Sequence, residues 1–171
     1  MRTVVIGSGS WGTALAQVLQ DNHQEVLVYG VAEAEVNDIN ENHKNSKYFG
    51  DVELNPELKA TTDIQCVKGA DIVLLAVPTI AIDPICHQIN DILDKKTIII
   101  NVSKGFHPET NERMSEVIRR CIDEDKLSSV VSLIGPSHAE EVVIRLLTTI
   151  DAISLNNEDA VTVQNLFSNQ Y

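Results

Sequence analysis

The sequence predicts an α/β fold, a doubly wound, mainly parallel sheet with helices on both faces. Three observations carry this expectation. Short runs rich in Val, Ile and Leu recur along the whole chain. They are near-continuous rather than alternating, as strands buried on both faces are. Helix-like segments fall between them, and that alternation implies parallel pairing with right-handed crossovers.

The first run, Thr3–Ile6, leads into Gly7-Ser8-Gly9-Ser10-Trp11-Gly12 and then into the stripe Leu15, Val18 and Leu19. Further runs lie at Val26–Tyr29, Asp71–Val77, Thr97–Val102, Val130–Ile134 and Thr148–Ser154. Helices are expected at 11–21, 32–42, 80–93, 109–123, 137–145 and 157–168, the last with Val161, Val163, Leu166 and Phe167 turned inward. Glu41–Thr62 is polar and interrupted by Gly50 and Pro56, so a long loop or a short irregular excursion is expected there. A chain of 171 residues, 43% hydrophobic and 22% charged, suits one domain over 1–171 with a sizeable core.

Open parallel sheets bind ligands beyond the carboxyl ends of their strands, so the residues just after each strand matter most. After the first strand, Gly7 allows the turn, Gly9 lets backbone approach a pyrophosphate, and Gly12 lets the helix pack close to the strand. The helix N-terminus then offers free N–H groups and partial positive charge to phosphates. A lone G-x-G-x-x-G is weak; a strand before it and a helix after it turn it into a Rossmann-type dinucleotide fingerprint. Trp11 is either a wall of that site or a hydrophobic plug. The second strand ends Tyr29-Gly30-Val31, without the acid of an NAD site or the arginine of an NADP site. Glu33 suits the first turn of the next helix instead.

Pro78, after the third strand, either places backbone beside the crevice or simply begins a helix. The fourth strand ends Ser103-Lys104-Gly105, a cation at the crevice rim beside a residue that permits a sharp turn. The fifth ends Gly135-Pro136-Ser137-His138-Ala139-Glu140. Ser137 and Glu140 have the spacing of a capping box, and the same helix start could face the crevice with its N–H groups. His138 is a general acid or base by type but has no visible partner.

Composition excludes several classes. A net charge of −12 argues against binding nucleic acid or an anionic membrane through the general surface. No apolar run approaches the roughly 20 residues of a membrane span. The chain enters a strand-like segment at once, which reads as cytoplasmic. Cys66, Cys86 and Cys121 lack paired spacing and read as free thiols, and the five histidines form no H-x-x-x-H pair, so no metal site is expected.

Four segments together resemble bacterial NAD(P)-dependent glycerol-3-phosphate dehydrogenase: Gly7-Ser-Gly-Ser-Trp-Gly-Thr-Ala-Leu-Ala16, Ala76-Val-Pro-Thr79, Ser103-Lys-Gly105 and Gly135-Pro-Ser-His-Ala-Glu-Glu-Val142. The similarity runs over essentially the whole chain. It implies hydride transfer between a nicotinamide cofactor, NAD or NADP, and sn-glycerol 3-phosphate or dihydroxyacetone phosphate, which supplies glycerol phosphate for phospholipid synthesis. It puts Ser10, Trp11, Tyr48, Lys104 and Ala139 at the dinucleotide, and Lys104, Gly135 and Ser137 at the substrate. It also allows a homodimer of the full-length enzyme. Relatives commonly carry Arg or His where Val31 stands, and Pro where Leu147 stands.

The resembling family is about twice as long. Its second, helical domain carries the lysine that donates or accepts the proton and an Arg-Asn pair that grips the substrate phosphate; no residue of this chain matches that lysine. Proton transfer is typically worth about 10²–10⁴ in rate, so the chain on its own is expected to bind dinucleotide weakly and to turn over little or nothing. The docking surface for that domain is expected to be uncovered. A stand-alone dinucleotide-binding module without catalysis is the alternative from another class. Another oxidoreductase, such as a hydroxyacid or acyl-CoA dehydrogenase, is opposed by G-P-S-H-A-E-E-V.

Overall fold

The computed structural model describes residues 1–171. Its strands are β1 (Arg2–Ile6), β2 (Glu25–Tyr29), β3 (Lys59–Thr61), β4 (Ile72–Leu75), β5 (Thr97–Asn101), β6 (Leu127–Ile134) and β7 (Asp151–Ser154). They form one sheet in the order β3-β2-β1-β4-β5-β6-β7. All neighbours pair in parallel except β6 and β7. The order reverses at β1, which lies between β2 and β4, and this is the switch point where such sheets open a crevice.

The helices are α1 (Ser10–Asp21), α2 (Glu33–Asn37), α3 (Ser46–Phe49), α4 (Thr79–Asn90), α5 (Met114–Cys121), α6 (Ala139–Val143) and α7 (Asn157–Phe167). A π-helical turn, Asp38–Asn42, continues α2 to the end of the predicted helix at 32–42.

The sheet separates two cores. Val5, Val28, Leu74, Ile100 and Val131 join Leu15 and Leu19 of α1, Val142 of α6 and Val163 of α7 on one face. Val4, Ile6, Val73, Leu75, Ile99 and Val130 join Ile82 and Ile89 of α4 and Val117 and Ile118 of α5 on the other. Successive side chains of a strand point to opposite faces. Both faces are covered here, so both sets must be apolar, and alternation disappears from the sequence.

Four expectations need correction. The segment 41–62 is not only loop, because Lys59–Thr61 adds an edge strand beside β2 and Ser46–Phe49 a helical turn. Three residues, Lys-Ala-Thr, contain no apolar run to betray the strand.

The last strand runs antiparallel, against the parallel pairing that the alternation implied. The chain re-enters the sheet at the end it left, with Asp151 opposite Ile134.

In α7 the buried residues are Ala160, Val163 and Leu166, whereas Val161 is exposed. A one-position error in helical phase turns a side chain by about 100°. The predicted helix 109–123 contracts to Met114–Cys121, preceded by a turn closed by a bridge between Phe106 and Arg113.

Large exposed apolar residues gather toward the β7 edge: Ile134, Leu147, Ile153 and Leu155. No helix is long and apolar enough to cross a membrane.

Candidate functional site

The glycine turn after β1 is shaped by close packing. Gly7 has φ +116°, in the region glycine favours, and a Cβ there would meet the Ala76 carbonyl oxygen at 2.4 Å. A Cβ on Gly12 would meet the Gly7 carbonyl oxygen at 2.0 Å. Gly9 is different: nothing lies within 4 Å of its Cβ position, so open space stands above the turn.

Helix α1 starts there with Gly9 as N-cap and no side-chain cap. The backbone N–H groups of Ser10, Trp11 and Gly12 find no acceptor in the protein. Three free donors at the positive end of a 12-residue helix, beside open space, fit the pyrophosphate of a dinucleotide. The turn is braced from below. Asn45, almost wholly buried, donates to the Ser8 carbonyl at 2.8 Å and to the Thr13 hydroxyl at 2.9 Å. Thr13 in turn donates to the Ser8 carbonyl at 3.1 Å. Neither Asn45 nor Thr13 stands out in the sequence, because a side chain supporting backbone leaves no motif.

The end of β5 is tied to the end of β4. Asn101 accepts from the Ser103 N–H at 3.2 Å, and the Ser103 hydroxyl donates to the Val77 carbonyl at 2.5 Å. This turn carries Lys104, exposed and with no ion-pair or hydrogen-bond partner, to the crevice rim. Gly105 beside it adopts φ +107°.

A cleft of 330 Å³ is lined by Ser10 and Trp11 from α1, Ala76 and Val77 beyond β4, Lys104 beyond β5, and Ser137 and Ala139 at α6. Glu140 and His138 also line it. An adjoining cleft of 540 Å³ is lined by Trp11, Lys104, Gly135, Ser137 and Phe106, among others. Trp11 borders both clefts and packs partly against the core.

The structure therefore brings Ser10, Trp11, Lys104, Gly135, Ser137 and Ala139 together. Pro78 is the N-cap of α4 and lines neither cleft. Tyr48 lies on α3, where its ring sits 5.0 Å from the Lys47 ammonium. Gly135 is required for close approach, since a Cβ would meet the Thr149 carbonyl oxygen at 2.5 Å. The capping box does not form. The N-cap of α6 is His138, one residue later than the S-x-x-E spacing placed it, and Ser137 donates only a long 3.5 Å bond to the Gly135 carbonyl. The Ser137 hydroxyl is thus left to the cleft.

At the other side of the crevice, Glu35 accepts from the Ser8 hydroxyl and, at 2.6 Å, from the Lys47 ammonium. Burial pushes the Glu35 carboxyl up, but the hydrogen bonds from Lys47 and Ser8 prevail and hold it below the usual range. Histidine spacing in the sequence does not reveal a cluster between α4 and α5, where ligand-type atoms of Asp83, His87 and Cys121 lie within 4.8 Å of one another. Arg120 pairs with Asp83 at 2.9 Å there, burial raises the Cys121 thiol, and the cluster ties the two helices together.

Fold and site together define a Rossmann-type domain with an open glycine turn and unpaired helix N–H groups at its switch point. The profile described as NAD-dependent glycerol-3-phosphate dehydrogenase N-terminus matches residues 2–161, and the chain belongs to that family. It is 46% identical over 169 residues to glycerol-3-phosphate dehydrogenase (NAD(P)+) of Listeria innocua, covering 98% of this chain and 50% of that protein. The counterpart in Streptococcus uberis is 42% identical over 171 residues, covering 99% of this chain and 51% of its own length. The chain thus spans about half the length of the curated relatives it matches. A glycerol-3-phosphate dehydrogenase structure from Coxiella burnetii superposes with a TM-score of 0.89 at 26% identity, over 99% of this chain and 51% of that one. The Plasmodium falciparum glycerol-3-phosphate dehydrogenase superposes at 0.90 with 23% identity, over 100% and 50%, a likeness of fold.

Proposed function

We propose that this chain is the dinucleotide-binding portion of a glycerol-3-phosphate dehydrogenase, acting on sn-glycerol 3-phosphate and dihydroxyacetone phosphate. One observation carries the reading: the unpaired N–H groups of α1, the unpaired ammonium of Lys104 and the Ser137 hydroxyl, held only by a long bond to Gly135, converge on one cleft. A bound NAD or NADP supplies the site at which hydride is gained or lost. The chain's own residues do the holding. The α1 N–H groups take the pyrophosphate, and Trp11 and Ala139 form walls that limit water. Lys104 offsets anionic charge from cofactor and substrate within an acidic protein, and Gly135 and Ser137 present backbone and hydroxyl to the substrate. Pro78 and Tyr48 act at the margins of the cofactor site.

Lys104 is the only lysine or arginine lining the first cleft, and it already serves the anions. His138 lines the cleft without a hydrogen-bond partner to orient it. Residues 1–171 form the cofactor domain in this reading, and the proton-transfer lysine belongs to a second, helical domain of the full-length, homodimeric, cytoplasmic enzyme. Its product serves phospholipid synthesis. A binding module without catalysis is the second reading, favoured by the lack of an oriented base in the cleft.

Trp11, the single tryptophan, reports directly on the site. Titration of the chain with NADH or NADPH is expected to quench its fluorescence; no change with either, backed by no heat in calorimetry, would refute the dinucleotide reading. Dihydroxyacetone phosphate reduction by the 171-residue chain is expected to be negligible. Robust turnover would show that the chain supplies its own base.

A further inference from the structure

Residue 30, just beyond β2, is where a dinucleotide site of this fold ordinarily carries the acid that holds the ribose 2′-hydroxyl. Here it is Gly30, and the space for its side chain is already filled. A Cβ on Gly30 would meet the Ser8 hydroxyl oxygen at 2.4 Å and the Ser8 Cβ at 2.7 Å. Ser8 belongs to the glycine turn itself. Its hydroxyl donates to Glu35, whose other oxygen accepts from Lys47 at 2.6 Å. The carboxylate missing from the end of β2 is thus supplied from α2, through a serine that occupies the place of the residue-30 side chain.

The surroundings of Glu35 have one sign. A cleft of 460 Å³ beside it is lined by Glu35, Asp38 and Glu41, with Asn45, Ala32 and Lys47. Lys47 is the only cation lining that cleft, and it is already bound to Glu35. Lys44 nearby pairs with Asp51 at 3.0 Å. Val31, 85% exposed, brings no charge to the rim. A carboxylate has about four acceptor positions, and the two hydrogen bonds that Glu35 receives leave capacity for a hydroxyl donor.

We propose that Glu35, positioned by Ser8 and Lys47, is the specificity-determining acid of the cofactor site and makes this chain select NAD(H) over NADP(H). The inference rests on the dinucleotide reading above. The ribose 2′-hydroxyl of NAD(H) can donate to Glu35. The 2′-phosphate of NADP(H) cannot donate, and it brings roughly two negative charges toward three carboxylates and one committed ammonium.

The test is Trp11 fluorescence titration of the 171-residue chain with NADH and NADPH. Wild type is expected to bind NADH more tightly by about tenfold or more. Glu35→Gln keeps the shape, removes the charge and frees Lys47, so NADPH should gain and the ratio should collapse toward one. Lys47→Ala, at a largely exposed side chain, removes the ammonium that offsets Glu35 and should widen the ratio in a variant that still shows a cooperative melt. Equal or tighter binding of NADPH by wild type overturns the inference. So does an unchanged ratio in a Glu35→Gln variant that melts like wild type, or a narrowed ratio in Lys47→Ala. Binding of neither nucleotide by wild type overturns the dinucleotide reading itself, a distinct outcome from equal binding of both.

Discussion

At the scale of the residue, the glycine turn works by exclusion. Gly12 sits where α1 crosses the end of β1, and backbone rather than a flexible side chain lies against it. Backbone cannot step aside, so Gly12→Ala is expected to cost about 1–3 kcal/mol or more through overpacking. The thermal midpoint should fall by about 2–4 °C for each kcal/mol lost, and NADH quenching of Trp11 should weaken with it. A Gly12→Ala variant that melts like wild type would show that the turn can relax. Trp11 borders both clefts, a position that only the structure shows. Position in the chain draws attention to Glu33 rather than Glu35. The role of Glu35 depends on a contact with Ser8 across 27 positions, which no local spacing encodes.

At the scale of the element, the start of α6 decides the role of Ser137. The helix begins at Ala139, so Ser137 lies outside it and its hydroxyl stays in the cleft. Ser137→Ala should therefore change stability by less than about 0.5 kcal/mol, as ordinary substitutions away from special contacts do. Loss of a working cap would cost about 1 kcal/mol instead. A thermal melt separates the two outcomes, and a clear drop would restore the capping role. Beyond α6, β7 pairs antiparallel with β6, which leaves the sheet with a different far edge from that of an all-parallel sheet. The β5 turn works the other way. Asn101 and Ser103 commit their side chains to local backbone, and Lys104 keeps its charge free for a ligand.

At the scale of the whole molecule, acidic residues outnumber basic ones, and a few carboxylates are paired with cations and held ionised. For Asp21, burial raises the carboxyl, but hydrogen bonds from Arg145 and Asn55 more than offset it. Glu35 is lowered in the same way by Lys47 and Ser8, and Asp71 is lowered chiefly by Lys95. Each folded-state value lies below the unfolded one, so the stability each contributes is complete above the ordinary carboxylate range. It is lost as the pH falls through about 4 and below. The thermal midpoint should hold from neutral pH down to that range and then fall. A Glu35→Gln variant should show a shallower acid limb, and an identical limb would remove Glu35 from the set.

The strands of the central sheet, the two helical layers and the glycine turn were legible in the sequence, because each is written as local composition: buried strands as apolar runs, helices as stripes, the turn as spaced glycines. The residues now gathered at the main cleft were legible as motifs at strand ends. Direction and partnership were not. The direction of β7 leaves no mark on the alternation of strand and helix, and β3 is an edge strand without an apolar run. Asn45 under the turn and Glu35 beside Ser8 act through contacts between segments far apart in the chain. Local composition and spacing dictate which surfaces must be buried and where backbone must turn. Which side chains those turns bring within hydrogen-bonding distance is a property of the tertiary structure alone, because such contacts depend on the packing of the whole sheet.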